Sequence, residues 1–319
     1  MALLRLLPAN LNIPFMRGRL YSSVFSALLV AGSIIFWLIV GLNTGIDFRG
    51  GFVIEVKTLE GAANVEELRE ELGDLNLGDI SLQEFGSERE VLIRVQSQDE
   101  GMATDLSDAN KQAIQLVQEQ IADRYEIRRT EFVGAVVGDE LRRNAFYAVI
   151  AALGSIMIYI WFRFEWPFAI SAILALAHDI ITTIGLFSLT GIEFNLATVA
   201  ALLTIAGYSI NDTVVIFDRI RDNLKKYKSW DNDTIINTSL SQTISRTLMT
   251  SITTLIALLA IYFFGGAVLG GFALAMIWGV LIGTYSSIYV ASTILSRFDL
   301  RPSDDDDMLP THERNDPKS

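Results

Sequence analysis

Three ionisable side chains, Asp179, Asp212 and Arg246, fall inside long apolar stretches of this 319-residue chain. A charge at the centre of a membrane-spanning helix costs about 2.5–3.5 kcal/mol on insertion scales, so such a residue needs a partner and points to function. The chemistry open to an acid and a guanidinium in that setting is proton transfer. A carboxyl group that alternately approaches and leaves an arginine releases and takes up a proton. Each proton crossing the field delivers about 2.3 kcal/mol per 100 mV, which can drive a motion if uptake and release face opposite sides.

Each residue also has a plainer reading. Asp179 lies about 12 residues into the third apolar run, roughly 18 Å deep at the helical rise, beside His178 and one turn before Thr182 and Thr183. It could be held neutral by hydrogen bonds to Thr or Ser, and His178 could be a packed ring rather than a proton carrier. Asp212 is separated from the end of the fourth run by Val214, Val215, Ile216 and Phe217. Its alternatives are a structural pair with Arg246 or a protonated acid bonded to a neighbouring helix. Arg246, near the start of the fifth run, could snorkel to the interface. Thr243, Thr247, Thr250 and Thr254 share one helical face, with Thr253 nearby, while Thr204, Gly207, Tyr208 and Asn211 mark the preceding helix. Two such stripes could hold a water wire or simply glue helices together. Ala275, Gly279, Gly283 and Ser287 recur every fourth position, a small-xxx-small seam that admits a close neighbour.

The elements that must position these residues follow from the need for about 20 apolar residues per crossing. Six runs qualify, at roughly 22–42, 144–162, 167–190, 194–217, 244–264 and 268–295. The first is too long for a signal-peptide core and lacks a small-residue cleavage site, so a retained anchor is expected. Pro167 opens the third at a first-turn position, where its missing N–H costs nothing. The Lys/Arg bias places the N-terminal segment (1–21, with Arg5, Arg17 and Arg19) and the 218–243 loop (Arg219, Arg221, Lys225, Lys226, Lys228) in the cytoplasm, along with the C-terminus.

The one long connection, 43–139, then lies on the outer side and carries 21 Asp+Glu against 9 Lys+Arg. It reads as a folded module: a strand at FVIEVKT, a helix at AANVEELREELGDL, strands DISLQEF and EVLIRVQ around the turn residues Gly86 and Ser87, a helix near LSDANKQAIQLVQEQIADRY, and a last strand YEIRRTEF. In the second helix Ala113, Ile114, Val117 and Ile121 fall on one face. The order βαββαβ predicts a ferredoxin-like α+β domain between the first two of six transmembrane helices. The tail 301–319 is polar and Pro-interrupted, and disorder is expected there. Its four consecutive Asp lack the ligand spacing of a calcium loop.

Composition narrows the function classes. Hydrophobic residues make up 51% and charged residues 19%, with mean hydropathy +0.37. A net charge of -12 argues against nucleic acid as a partner. There is no cysteine, and the only histidines are His178 and His312, so thiolate chemistry is excluded and no metal site is expected. The phosphate-binding G-x-x-x-x-G-K-[ST] loop is absent, so the chain is expected to be no ATPase.

GIDFRGG (Gly45 to Gly51), ALAHD (Ala175 to Asp179), GYSINDTVVIFDRIRDN (Gly207 to Asn223), SQTISRTLMTS (Ser241 to Ser251) and GTYSSIYVAS (Gly283 to Ser292) carry a resemblance over roughly 12–297. With them the chain resembles the SecF family, within the resistance-nodulation-division superfamily. The resemblance implies a subunit of the SecDF complex in the bacterial inner membrane. Its partners would be SecD, the SecYEG channel and the preprotein, with YajC and YidC as further candidates and membrane lipid around it. The complex would use the proton motive force to promote export after the SecA ATPase has acted. Protons would be the coupling ion, with no cofactor. It also implies that Asp212 and Arg246 are the family's membrane-embedded acid and its arginine, with Asn211 and Thr250 beside them and a second essential carboxylate on SecD. Asp179 then stands as a secondary relay residue. Gly45, Asp47, Gly50 and Gly51 would form a hinge-like connection, the plain alternative being a tight turn at the membrane boundary. Two other functions remain open: a scaffold joining SecD to SecYEG, and a proton-coupled lipid or small-molecule exporter, for which the outer domain is small.

Overall fold

The computed structural model describes residues 13–75, 77–78, 80–85, 87–96 and 108–300. Most of the N-terminal segment, the turn residue Gly86 and the 301–319 tail lie outside the described residues. After a short 3-10 turn at Phe15–Gly18, helix α1 (Arg19–Val40) crosses to a one-turn helix α2 (Ile46–Arg49). The sheet domain follows as β1 (Gly51–Thr58), α3 (Val65–Gly73), β2 (Ile80–Phe85), β3 (Ser87–Gln96), α4 (Asp108–Ile121) and β4 (Tyr125–Val133). Five further long elements complete the chain: α5 (Ala135–Arg163), α6 (Trp166–Thr190), α7 (Leu196–Lys226), α8 (Asn232–Phe264) and α9 (Gly266–Tyr285), the last continued by a π-helical turn (Ser286–Ala291) and α10 (Ser292–Leu295). Six of these helical stretches are long and apolar enough to cross a membrane.

The sheet runs β2-β3-β1-β4 with every pair antiparallel, the ferredoxin-like arrangement that the strand and helix order predicts. Alternation decides which face is dry. Phe52, Ile54 and Val56 of β1 point the same way as Val91, Ile93 and Val95 of β3, and all six are fully buried. Leu68 and Leu72 of α3 and Ala113, Val117 and Ile121 of α4 cover them. Ile54 stands opposite Ile93, so the two central strands share one apolar layer. The β4 edge carries Glu126, Arg128, Arg129 and Glu131, charges that blunt an otherwise pairable edge.

In the helical bundle α6, α7 and the sixth span form the packed centre, whereas α1, α5 and α8 leave their apolar flanks open. Leu28, Leu38, Ile39, Phe162 and Phe264 stand out from those flanks. Such exposure suits hydrocarbon as solvent, because helices already satisfy their own backbone groups.

The helices run further than their apolar runs. The expected 218–243 loop is almost wholly helical: α7 continues to Lys226 and α8 starts at Asn232. Apolar length marks only the part of a helix that meets lipid, and the polar extensions find partners of their own. The Asn223 amide donates to Ser239 Oγ (2.8 Å) and Gln242 Oε1 (3.0 Å) across the pair. Tyr227 and Trp230 stack at 3.9 Å in the link, and Asp231 caps α8 by accepting from Thr234 N (3.0 Å). That carboxyl is held below its usual range by the Thr234 hydroxyl and N–H. Likewise α5 begins at Ala135, ahead of the 144 boundary read from hydropathy, with Gly138 in close approach to the backbone at Gly50.

Ile54→Ala empties the middle of the shared layer. A loss of about 2–5 kcal/mol is expected for the sheet domain, read in the intact protein as faster protease cleavage between β1 and β4 with the membrane helices unaffected.

Candidate functional site

Asp179 is the best-satisfied acid in the bundle. Its side chain is fully buried on α6, and Oδ2 accepts from Ser209 Oγ of α7 (2.5 Å) and Ser286 Oγ of the π turn (2.7 Å). Oδ1 lies 2.9 Å from His178 Nδ1. Thr182 and Thr183 donate to the Asp179 carbonyl rather than to its side chain (3.1 and 2.7 Å). His178 packs 6.2 Å from the Tyr285 ring, and Tyr285 in turn donates to the Ser22 carbonyl (2.9 Å) and pairs with Ser26 Oγ (2.8 Å) on α1. One carboxylate therefore ties three helices together directly, with α1 joined through the ring beside its histidine.

Asp212 is the opposite case. It is buried on α7, yet its Oδ2 has no hydrogen-bond partner among the described residues, and no ion pair joins it to Arg246. The direct strut between the two, one of the readings left open by the sequence, is not formed here. Thr247 Oγ1 on the facing helix α8 is also buried without a partner. The Arg246 charge reaches Asp212 electrostatically, but the side chain itself stands on the exposed side of α8. Asn211 is exposed next to Asp212, as are Gly207 and Thr204, one and two turns earlier on the same face of α7. Thr250 donates to its own helix backbone at Thr247 O (2.9 Å). Tyr208 reaches Thr254 Oγ1 (3.3 Å), and Thr253 is exposed. Helices α7 and α8 thus present Thr204, Gly207, Asn211, Arg246 and Thr253 outward from the bundle at membrane depth.

The small-residue seam of the sixth span lies against α7. A side chain at Gly279 would overlap Ile205, and one at Gly283 would press on Ser209. Ala275 is buried in the same cluster, and Ser287 Oγ pairs with Thr213 Oγ1 (2.8 Å). The seam therefore brings the π turn, and with it Ser286, up to the helix that carries Asp212. Hydrogen bonds from Thr or Ser to Asp179 were among the readings of the sequence, but which hydroxyls make them was not legible. Ser209 and Ser286 both lie inside quoted motifs, but isolated serines in apolar helices are too common to signal a bond.

At the sheet end of the bundle, Gly50 and Gly51 hold positive φ (73° and 132°), whereas Gly45 does not (φ -72°). Asp47 Oδ2 accepts from the backbone N–H of Leu196, the first residue of α7 (2.9 Å). Glu193, in the link before α7, forms an ion pair with Arg94 of β3. Burial pushes the Glu193 carboxyl above its ordinary range; the Arg94 charge and hydrogen bond oppose this, and nearby Asp47 adds to it. This contact was invisible in the sequence, where 99 positions separate the two residues. Among the described residues no group of His, Asp and Glu is arranged to hold a metal ion.

The family described as protein export membrane protein SecD/SecF, C-terminal, matches residues 113–301. The protein translocase subunit SecF of Desulfurispirillum indicum is 45% identical over 290 residues, covering 89% of this chain and 90% of that one. The SecF subunit of Vibrio alginolyticus is 45% identical over 290 residues, with 91% of each covered. Among solved structures, SecDF of Thermus thermophilus matches with a TM-score of 0.80 at 38% identity, over 91% of this chain. SecDF in a super-membrane-facing form matches with 0.67 at 37% identity, over 92%. This chain spans 39% of the length of either SecDF chain.

Asp179→Leu strips the acceptor from Ser209 and the partner from His178, leaving Ser286 only the Gly283 carbonyl, and each stranded buried donor costs about 1–3 kcal/mol. The variant should melt well below the parent protein in detergent, while Asp179→Asn, which keeps one acceptor oxygen, should melt in between. Equal melting of all three would show that this network does not hold the bundle.

Proposed function

The chain belongs to the SecD/SecF family of protein export membrane proteins, and from that premise we propose that it works as the SecF half of a proton-driven SecDF complex in the bacterial inner membrane. One observation carries the reading: an acid buried at membrane depth with an unpartnered oxygen, next to an arginine and an asparagine that face out of the bundle. An orphaned carboxylate oxygen in apolar surroundings is costly, and so is a guanidinium facing lipid. Both costs are relieved if further helices cover the α7–α8 face and complete the site. The known SecDF chains, more than twice as long as this one, contain further protein that could supply such helices. SecD is therefore the partner assigned to that face.

In the completed site a proton taken up by Asp212 weakens its attraction to Arg246, and release restores it. At about 2.3 kcal/mol per proton per 100 mV, this exchange can bias the packing of α7 against α8. The two SecDF structures match this chain at nearly equal identity but with different TM-scores, which supports a family that adopts more than one arrangement. The sheet domain would sit on the periplasmic side, with both termini and the Lys/Arg-rich α7–α8 link in the cytoplasm. There it would act on preprotein leaving the SecYEG channel, after ATP has been spent by SecA; YajC and YidC are further partners of this assembly. Asp179 favours a second, structural reading for itself alone, because each of its oxygens already has a partner.

Asp212→Asn and Arg246→Lys, introduced into a strain lacking its own SecF, should reduce gradient-dependent export to the level of that strain while SecD still co-purifies. Undiminished export, or a complex that falls apart, would favour the scaffold.

A further inference from the structure

The 43–51 segment is sewn to the 191–196 link by bonds of several kinds. Phe194 N donates to Asn43 O (2.7 Å), and Gly45 N donates to Phe194 O (3.0 Å). The Asn43 amide donates to Gly191 O (2.9 Å), and the Phe194 ring lies between Phe48 and Phe187, with centroids 6.1 and 5.6 Å away. Two charged contacts then fasten this seam in opposite directions. Asp47 reaches forward to the first N–H of α7, one of the donors that a helix leaves unsatisfied at its start and a place where the helix dipole favours an anion. Arg94 reaches down from β3 to Glu193, two residues before the Asn195 cap of α7. The paired side chains are only 13% and 18% exposed, so solvent screens them less than a surface pair. On the other side, Gly50 packs on Ala135 and Gly138 at the start of α5.

We propose that Asp47, Glu193 and Arg94 form a clasp that fixes the sheet domain to the sheet-side end of α7, so that movement of the helix carrying Asp212 carries the domain with it. This rests on the proton-driven reading above and names the transmission for it. Helix α7 is continuous from Leu196 to Lys226 and contains no proline. The 16 residues from Leu196 to Asp212 span about 24 Å at the helical rise, so the helix can act as a rod between the two sites. The GIDFRGG segment is then a strap with three neighbours rather than a free hinge. Asp47, Glu193 and Arg94 are positioning residues: they pass on displacement and exchange no proton themselves.

The test uses the full chain reconstituted with SecD, carrying labels at Glu60→Cys in the sheet domain and Lys225→Cys in the last turn of α7, clear of the face assigned to SecD, in a protein with no cysteine of its own. A clasped protein gives one narrow distance distribution, and Asp47→Leu with Arg94→Ala should broaden it and reduce gradient-driven export about fivefold or more, leaving proton uptake through the complex intact. Asp47→Asn, which keeps the acceptor oxygen for Leu196, should retain the narrow distribution. A second pair guards against misassembly: a Cβ at Gly45 would lie 3.0 Å from Glu193 Cγ, so Gly45→Cys with Glu193→Cys can form a disulfide. Its oxidised form should export better than its reduced form. The clasp is overturned if the double variant keeps the narrow distribution, if it loses proton uptake together with export, or if oxidation abolishes export that reduction restores. Absence of proton uptake in the unmodified complex would count instead against the proton reading, and the distance distributions would still decide the clasp.

Discussion

A carboxylate placed where the solvent is hydrocarbon must be given donors, neutralised or used. That constraint organises the bundle. Asp179 meets three hydrogen-bond partners, from its own helix, from α7 and from the π turn, and the packing around it follows. The glycines of the sixth span exist to let that turn approach α7. A regular α-helix would carry the following residues past this point in a different phase; the π turn breaks that phase where Ser286 and Ser287 are both buried. Among the described residues Asp212 receives no such donors on Oδ2, although it sits on the same helix as Ser209. Of the two acids, one ties three helices together, and the other keeps a buried oxygen without a partner among the described residues.

The exposed polar face of α7 and α8 has the same cause. Threonines inside apolar helices usually return their hydroxyls to the backbone, as Thr204, Thr250 and Thr253 do here. Arg246 and Asn211 cannot hide in that way, and both look outward. The sheet domain supplies the complementary end of the picture: its apolar face is closed by α3 and α4, leaving the other face to look toward the bundle, where Arg94 finds Glu193.

Much of this was legible in the sequence because its causes are local. Period-two alternation in FVIEVKT and EVLIRVQ is enough to set the dry face of β1 and β3, and the strand and helix order is enough to set the ferredoxin-like sheet. Apolar length found the six spans. It failed at 218–243 because helix formation does not stop where lipid does, and Asn223 donates to both Ser239 and Gln242 across a helical pair. Asp179 and Asp212 were both conspicuous, since charge in an apolar run is a rare signal. Their difference was not, because it depends on which hydroxyls from distant helices arrive beside them. The Arg94–Glu193 pair was hidden for the same reason, as nothing local distinguishes it from the many other charges of an acidic domain.

The central claim is that the site around Asp212 is half of a proton pathway and needs a second subunit. Vesicles containing this chain alone and vesicles containing it with SecD can be compared for proton uptake under an imposed membrane potential. The account expects uptake only in the paired vesicles, and none when the paired chain carries an amide in place of the Asp212 carboxyl. Equal uptake by the chain alone, or by the amide variant, would contradict it.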